Sequence, residues 1–339
     1  MRALQLRTLG HLDEVELPVP QPAHGELLVR TRATTICTSD IHDMTYNPFG
    51  TSLPKVLGHE GAGRVAALGS GVSSFAIGDR VAAHPVIPCG ACESCLRGLA
   101  HLCERMGHLG VDRDGTFAGY FCIPASRARK LPDEVDYAVG ALLEPLCVCL
   151  EAVRRARIVS GESVLVAGDG PFGVLIARLA LQAGAQPLIL AGTEPFRMGH
   201  VSGAQAVNIT RFPSLLEARQ SFGGEVDAAI LAVSSAEALD MCLQSLRARG
   251  RLVVFAGIAQ PVPVDLFRVH LKELEILGAC NDEDYLDEAL SRLADPALNL
   301  HDLVTHRIPF ASWRDAFDLA TRRKDRALKV AITFEDEAS

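Results

Sequence analysis

Residues 163–191 read SVLVAGDGPFGVLIARLALQAGAQPLILA, and the fold turns on them. Residues 163–167 form an apolar run of strand length, followed by the turn Gly168-Asp169-Gly170-Pro171-Phe172-Gly173. Residues 174–183 carry a helical pattern, and 187–191 read as a second buried strand. A G-x-G-x-x-G alone is weak. Between a strand and a helix, with a second strand at the right distance, it is a strong sign of dinucleotide binding. Its glycines permit a tight turn and let a pyrophosphate approach the helix N-terminus, where amides and dipole favour anions. Pro171 suits the first helical turn. Gly168, Gly170, Pro171, Phe172 and Gly173 are therefore the first cofactor-binding candidates.

The acid that ordinarily ends the second strand and holds the ribose 2′-hydroxyl is missing, and its position falls on Gly192. A small residue there removes the carboxylate that repels a 2′-phosphate. Thr193 could hydrogen-bond such a phosphate and Arg197 could supply charge, whereas Glu194 could itself reach the ribose. Together these residues favour NADP over NAD.

Downstream, strand and helix keep alternating: strand near 206–207, helix from 213, strand 227–232, helix 236–246, strands 251–256 and 274–277. The pattern predicts a doubly wound parallel sheet ending near Gly278. Helices follow around 284–293 and 311–321, and a last strand at 328–334 is expected to return to the first domain. Upstream, short β-rich runs at 27–29, 63–68, 80–83 and 119–123 lie between Gly and Pro residues. That spacing suggests a compact β-barrel-like domain with long functional loops. A helix is expected over 133–157, with Pro145 kinking or restarting it.

The β-rich part carries two groups of metal donors. Cys89, Cys92, Cys95 and Cys103 lie close enough in sequence to close a tetrahedral sulfur shell. Structural zinc is the preferred reading, because the loop has no other core to hold it; an iron–sulfur cluster is the chemical rival. In residues 58–72, GHEGAGRVAALGSGV, His59 and Glu60 offer a nitrogen and an oxygen ligand between glycines. Cys37 in Cys37-Thr38-Ser39-Asp40-Ile41-His42 adds a thiol, and Ser39 and His42 become a candidate proton path. Glu144 lies among Ala141, Leu142, Leu143 and Leu146, where an unpaired carboxylate is costly, so a metal or its bound water would serve it. Cys147 and Cys149 read as packing thiols.

Composition narrows the class. A chain of 339 residues favours two domains. A net charge of -8 without a basic cluster argues against a nucleic-acid surface. The longest apolar stretch is broken by Asp169, Gly170, Pro171, Gly173, Arg178 and Gly184, so no membrane partner is expected. No apolar leader opens the chain, and ten cysteines then suggest thiols or metal ligands in a cytoplasmic protein.

With these residues in place, the sequence resembles the zinc-dependent medium-chain dehydrogenases, in their polyol (sorbitol and threonine dehydrogenase) branch. Gly58-His59-Glu60, Gly63, Gly69 and Val72 have the spacing of that family's zinc signature. The resemblance implies an α/β protein: a GroES-like β-rich catalytic domain at 1–143 and 279–339, with a structural zinc lobe at 89–103, plus a Rossmann domain at 144–278. It implies two zincs per chain, with Cys37, His59, Glu60 and Glu144 at the catalytic one and Cys89, Cys92, Cys95 and Cys103 at the other. Glu144, where alcohol dehydrogenases have cysteine, points to the polyol branch. The resemblance also implies a relay from Ser39 through the cofactor ribose to His42, a small alcohol or polyol substrate, and a homodimer or homotetramer. The expected activity is hydride transfer between a secondary alcohol and NAD(P), with Ser39, His42 and Glu60 as catalytic residues. Two alternatives stay open: a zinc-free quinone or enoyl reductase on this fold, and a non-catalytic zinc- or cofactor-binding relative.

Overall fold

The computed structural model describes residues 1–322 and 326–335. The chain divides into two compact units, residues 1–147 with 283–339, and residues 148–282. Residues 323–325 and 336–339, which the expected catalytic domain includes, lie outside the described residues.

The second unit is built on a six-stranded sheet, all of whose neighbouring pairs are parallel. Its spatial order is Gln205–Asn208, Leu188–Gly192, Val164–Ala167, Val226–Leu231, Leu246–Val254 and Glu275–Gly278. The central strands are apolar at every position or nearly so, as strands covered on both faces must be. Leu165, Ile189, Ala229, Leu231 and Leu252 are buried in one cluster with Leu239, Met241 and Leu243 of the helix Ala236–Ser245. Each fully buried Leu or Ile contributes about 1.5–3 kcal/mol by leaving water. Three strands lengthen or shift against the sequence expectation: 205–208, 246–254 and 275–278, because ladder pairing continues into polar residues that apolar patterning does not mark.

The first unit carries a seven-stranded sheet. Glu26–Thr35 is its hub, pairing antiparallel with Glu60–Leu68, with Tyr120–Pro124 along its first half, and with Lys329–Thr333 along its second. The C-terminal strand thus does enter the first unit's sheet. A core of Leu4, Leu6, Ile36, Leu57, Phe117, Phe317 and Ile332 packs beneath it. The helical stretch expected over 133–157, with a kink or restart at Pro145, is two helices, Tyr137–Gly140 and Leu143–Ala156. The first is capped by Asp136, whose side chain accepts from Val139 N–H at 2.9 Å. Pro145 sits in the first turn of the second, where its missing N–H costs nothing. Cys147 and Cys149 are both fully buried on that helix.

Candidate active site

The first group of metal donors follows from strand pairing. Thr35 and Glu60 are direct partners in the antiparallel ladder, so Cys37, just past the end of one strand, and His59, just before the other, come side by side. The ligand atoms of Cys37, His59 and Glu60 all lie within 4.8 Å of one another. The site is closed: Cys37, His59 and Glu60 are 6%, 8% and 0% exposed. Gly58 earns its place by conformation and contact. It adopts φ +93°, and a Cβ there would lie 2.8 Å from the Phe117 ring and the Thr116 hydroxyl.

Asp40, which sequence reading passed over, organises this corner. Cys37 caps the helix Thr38–Tyr46, and Asp40 in its first turn accepts the Cys37 N–H at 2.8 Å. The other Asp40 oxygen lies 3.2 Å from His59 Nδ1. A carboxylate on one ring nitrogen fixes the imidazole and leaves Nε2 for a metal. Burial alone would push the His59 pKa down; Asp40 and then Cys37 instead hold it well above the ordinary imidazole range. Ser39 Oγ lies 3.4 Å from His59 Nε2. His42, one turn along the same helix, is half-buried with its ring 5.1 Å from that of Tyr46.

Lys329 is the second residue that sequence reading missed. It opens the strand Lys329–Thr333, is 2% exposed, and places Nζ 2.6 Å from Glu60 Oε1. Thr35 Oγ1 donates to Glu60 Oε2. Burial by itself would lower the Lys329 pKa, but Glu60, Cys37 and Glu144 together raise it. A signal existed: a lysine inside the apolar run Leu328-Lys329-Val330-Ala331-Ile332 needs a counter-charge. Glu144, 8% exposed at the start of the helix Leu143–Ala156, contributes its charge to this set but is not among the three donors that converge within 4.8 Å.

The donor chemistry fits a zinc ion, with sulfur, nitrogen and oxygen from three side chains in a buried site. A divalent ion and one lysinium would balance one thiolate and the two carboxylates of Glu60 and Glu144. Each engaged oxygen of Glu60 keeps a lone pair for a cation.

The second donor group is simpler. The sulfurs of Cys89, Cys92, Cys95 and Cys103 lie within 4.8 Å of one another, with Cys92 and Cys103 sulfurs 3.8 Å apart. A backbone hydrogen bond from Ala91, foremost, draws the Cys89 thiol down to about 6, while burial pushes Cys95 up to about 11. Around them the chain offers little apolar support, since Leu96 and Leu102 are 76% and 46% exposed. Four converging thiols with so little core around them fit a structural metal. Cys95→Ser is therefore expected to lower the thermal midpoint by several degrees and release one metal equivalent. An unchanged melt and metal content would remove Cys95 from such a role.

The glycine turn also fits its expected ligand. Gly168 has φ +123° with Ala232 backbone 2.9 Å from where its Cβ would sit, and a Cβ on Gly173 would lie 1.9 Å from Gly168 O. Gly170 caps the helix Pro171–Gln182 with no side-chain hydrogen bond, and a Cβ there would meet nothing within 4 Å. The loop is tight below and open above a helix N-terminus, as a pyrophosphate requires. Phe172, bulky for such a turn, packs its ring 5.5 Å from that of Phe255.

At the end of the second strand the geometry alters the sequence reading. Gly192 does not open a vacant pocket: a Cβ there would lie 2.4–2.6 Å from Asp169 Cβ, Cγ and Oδ2. Asp169 Oδ2 accepts the N–H groups of Thr193 at 2.8 Å and Glu194 at 2.6 Å. Thr193 and Glu194 are exposed, whereas Arg197 is only 4% exposed.

A buried S, N, O donor set on a β-rich unit, and a glycine turn on a parallel sheet, define the class of metal-assisted, dinucleotide-dependent dehydrogenases. Residues 23–133 match the alcohol dehydrogenase GroES-like domain, and residues 171–295 the zinc-binding dehydrogenase domain. Sorbitol dehydrogenase of Bacillus subtilis (strain 168) is 30% identical, over 98% of this chain and 97% of its own. Among solved structures, a zinc-binding dehydrogenase from Sinorhizobium meliloti 1021 bound to NADP superposes with a TM-score of 0.92 at 28% identity, over 98% of each chain. An Escherichia coli CFT073 alcohol dehydrogenase in complex with NADH also gives 0.92 at 28% identity, over 98% of this chain and 99% of that one. The chain belongs to the zinc-dependent medium-chain dehydrogenase family, in its polyol branch, and is an enzyme that oxidises CH–OH groups.

Proposed function

We propose that the protein transfers hydride between a secondary alcohol of a polyol, sugar or amino-alcohol and a nicotinamide dinucleotide, and holds two zincs per chain. The observation that carries this reading is the convergence of Cys37, His59 and Glu60 beside Ser39 Oγ, in a chain that also carries an open glycine turn. Cys37, His59 and Glu60 would hold the catalytic zinc, with Glu144 near enough in charge to join them or to hold the water there. Cys89, Cys92, Cys95 and Cys103 would hold the structural one. When bound, zinc lowers the pKa of the substrate hydroxyl, and the dinucleotide accepts the hydride. The chain's own residues do the rest. Asp40 holds the His59 ring in register, and Lys329 holds Glu60 in place. Ser39 Oγ is positioned to take the hydroxyl proton, and His42 to pass it outward. Gly168, Gly170, Pro171, Phe172 and Gly173 cradle the pyrophosphate. Gly192, Thr193, Glu194 and Arg197 would lie toward the ribose end. The NADP preference read from Gly192 rested on the absence of a carboxylate at the strand end, and Asp169 brings one there.

The test is initial-rate reduction of NAD and NADP across a panel of polyols, sugars and amino alcohols, with metal content measured on the same preparation. Turnover on any member supports the reading. Silence across the panel in protein holding two zincs per chain would sink it. The same donor set counts against a zinc-free reductase.

We also propose a cytoplasmic homodimer or homotetramer. Among the described residues no helix is long and apolar enough to cross a membrane. The strand Glu275–Gly278 ends the parallel sheet with Ile276 exposed, and the neighbouring helix Leu266–Lys272 exposes Leu266, Phe267 and Leu271. An open strand edge beside exposed apolar side chains favours self-association. Ile276→Lys combined with Phe267→Glu is expected to reduce the mass seen by light scattering toward the monomer. An unchanged oligomer would place the interface elsewhere.

A further inference from the structure

We infer that Asp169, inside the glycine turn, replaces the missing strand-end acid and makes the enzyme select NAD against NADP. This rests on the dinucleotide reading above and adds the residue that sets its specificity.

Three observations carry it. First, the turn and the strand end are neighbours: Ala167 pairs with Ala191 in the parallel ladder, and Gly168 N–H donates to Ala191 O at 2.8 Å. A side chain on the residue after Gly168 can therefore reach the residues after Gly192. Second, Asp169 does reach them. Its Oδ2 accepts both Thr193 N–H and Glu194 N–H, and its side chain fills the volume that any side chain at position 192 would need. Gly192 is thus small to admit Asp169, not to admit a phosphate. Third, the remaining oxygen is uncommitted, although Asp169 is only 5% exposed. Among the described residues no hydrogen bond reaches Asp169 Oδ1, and it is not among the buried polar atoms left without a partner.

The consequences for a dinucleotide follow from charge and hydrogen bonding. A ribose 2′-hydroxyl has a proton to donate to Asp169 Oδ1. A 2′-phosphate has none to spare when ionised and meets a fixed negative charge instead. It also loses the two amides at the strand end that would otherwise cradle it, because Asp169 Oδ2 already holds them.

The experiment is calorimetric titration of NAD and of NADP into the zinc-loaded wild-type protein and into Asp169→Asn and Asp169→Ala, with no alcohol present. Wild-type protein is expected to bind NAD at least about tenfold more tightly than NADP. Asp169→Asn keeps an oxygen for the two amides and removes the charge, so NADP binding should tighten while the thermal midpoint stays near wild type. Asp169→Ala frees the amides as well and should shift the NAD:NADP ratio further toward NADP. Equal binding of both dinucleotides by wild type, or an unchanged ratio in the folded Asp169→Asn variant, overturns the inference alone. No binding of either dinucleotide by wild type overturns the dinucleotide reading together with it.

Discussion

Lys329→Met is expected to destabilise the first unit by about 3–5 kcal/mol, because it leaves a fully buried carboxylate without its counter-charge. Glu60 is 0% exposed and Lys329 2%, and their 2.6 Å contact joins two strands separated by most of the sequence. Methionine fills much of the lysine stem but offers no proton, so Thr35 alone would remain to hold Glu60. A urea unfolding curve should show a lower midpoint, and the variant should hold zinc less tightly at the first donor group as Glu60 loses its Lys329 contact. Pairing the change with Glu60→Gln should recover part of the stability, since the uncompensated charge is then gone. An unchanged midpoint in Lys329→Met would mean that the pair adds nothing to the fold.

Cys37→Ser should lower turnover by about 10³-fold or more, through loss of the catalytic zinc's only thiolate candidate among the converging donors. A serine hydroxyl stays protonated at neutral pH and is a poor zinc ligand. The fold should survive, since serine keeps the backbone N–H that Asp40 accepts and is itself a good residue at a helix N-terminus. Metal analysis is the decisive companion measurement: one equivalent should go and the one in the cysteine lobe should stay. Wild-type rates in this variant would remove Cys37 from the metal site.

Much of this was legible because it is local. The turn Gly168–Gly173 can be read from residues adjacent in the chain, and so can the spacing of Cys89, Cys92, Cys95 and Cys103, whose sulfurs the structure brings together. Cys37 and His59 needed one step more, since only the pairing of Thr35 with Glu60 makes them neighbours. The helix over 133–157 was misjudged at its break because apolar periodicity runs through residues 141 and 142, while Asp136 capping and the placement of Pro145 decide where helical hydrogen bonding begins.

The sequence by itself determined the two-part architecture, the family and the cast of donors, since these follow from residue type at short spacing. Tertiary structure alone decided how those groups are used. Lys329 lies 269 residues from Glu60 and becomes its partner only when the last strand enters the first unit's sheet. Asp40 shows its hold on His59 only once a helix turn and a strand end meet. Asp169 looked like an interruption in an apolar run and Gly192 like a strand end without its acid. Parallel pairing of their strands sets the carboxylate of one into the space of the other. Chain-local pattern records which side chains are present, whereas buried charge must be balanced in space, and space is fixed by the fold.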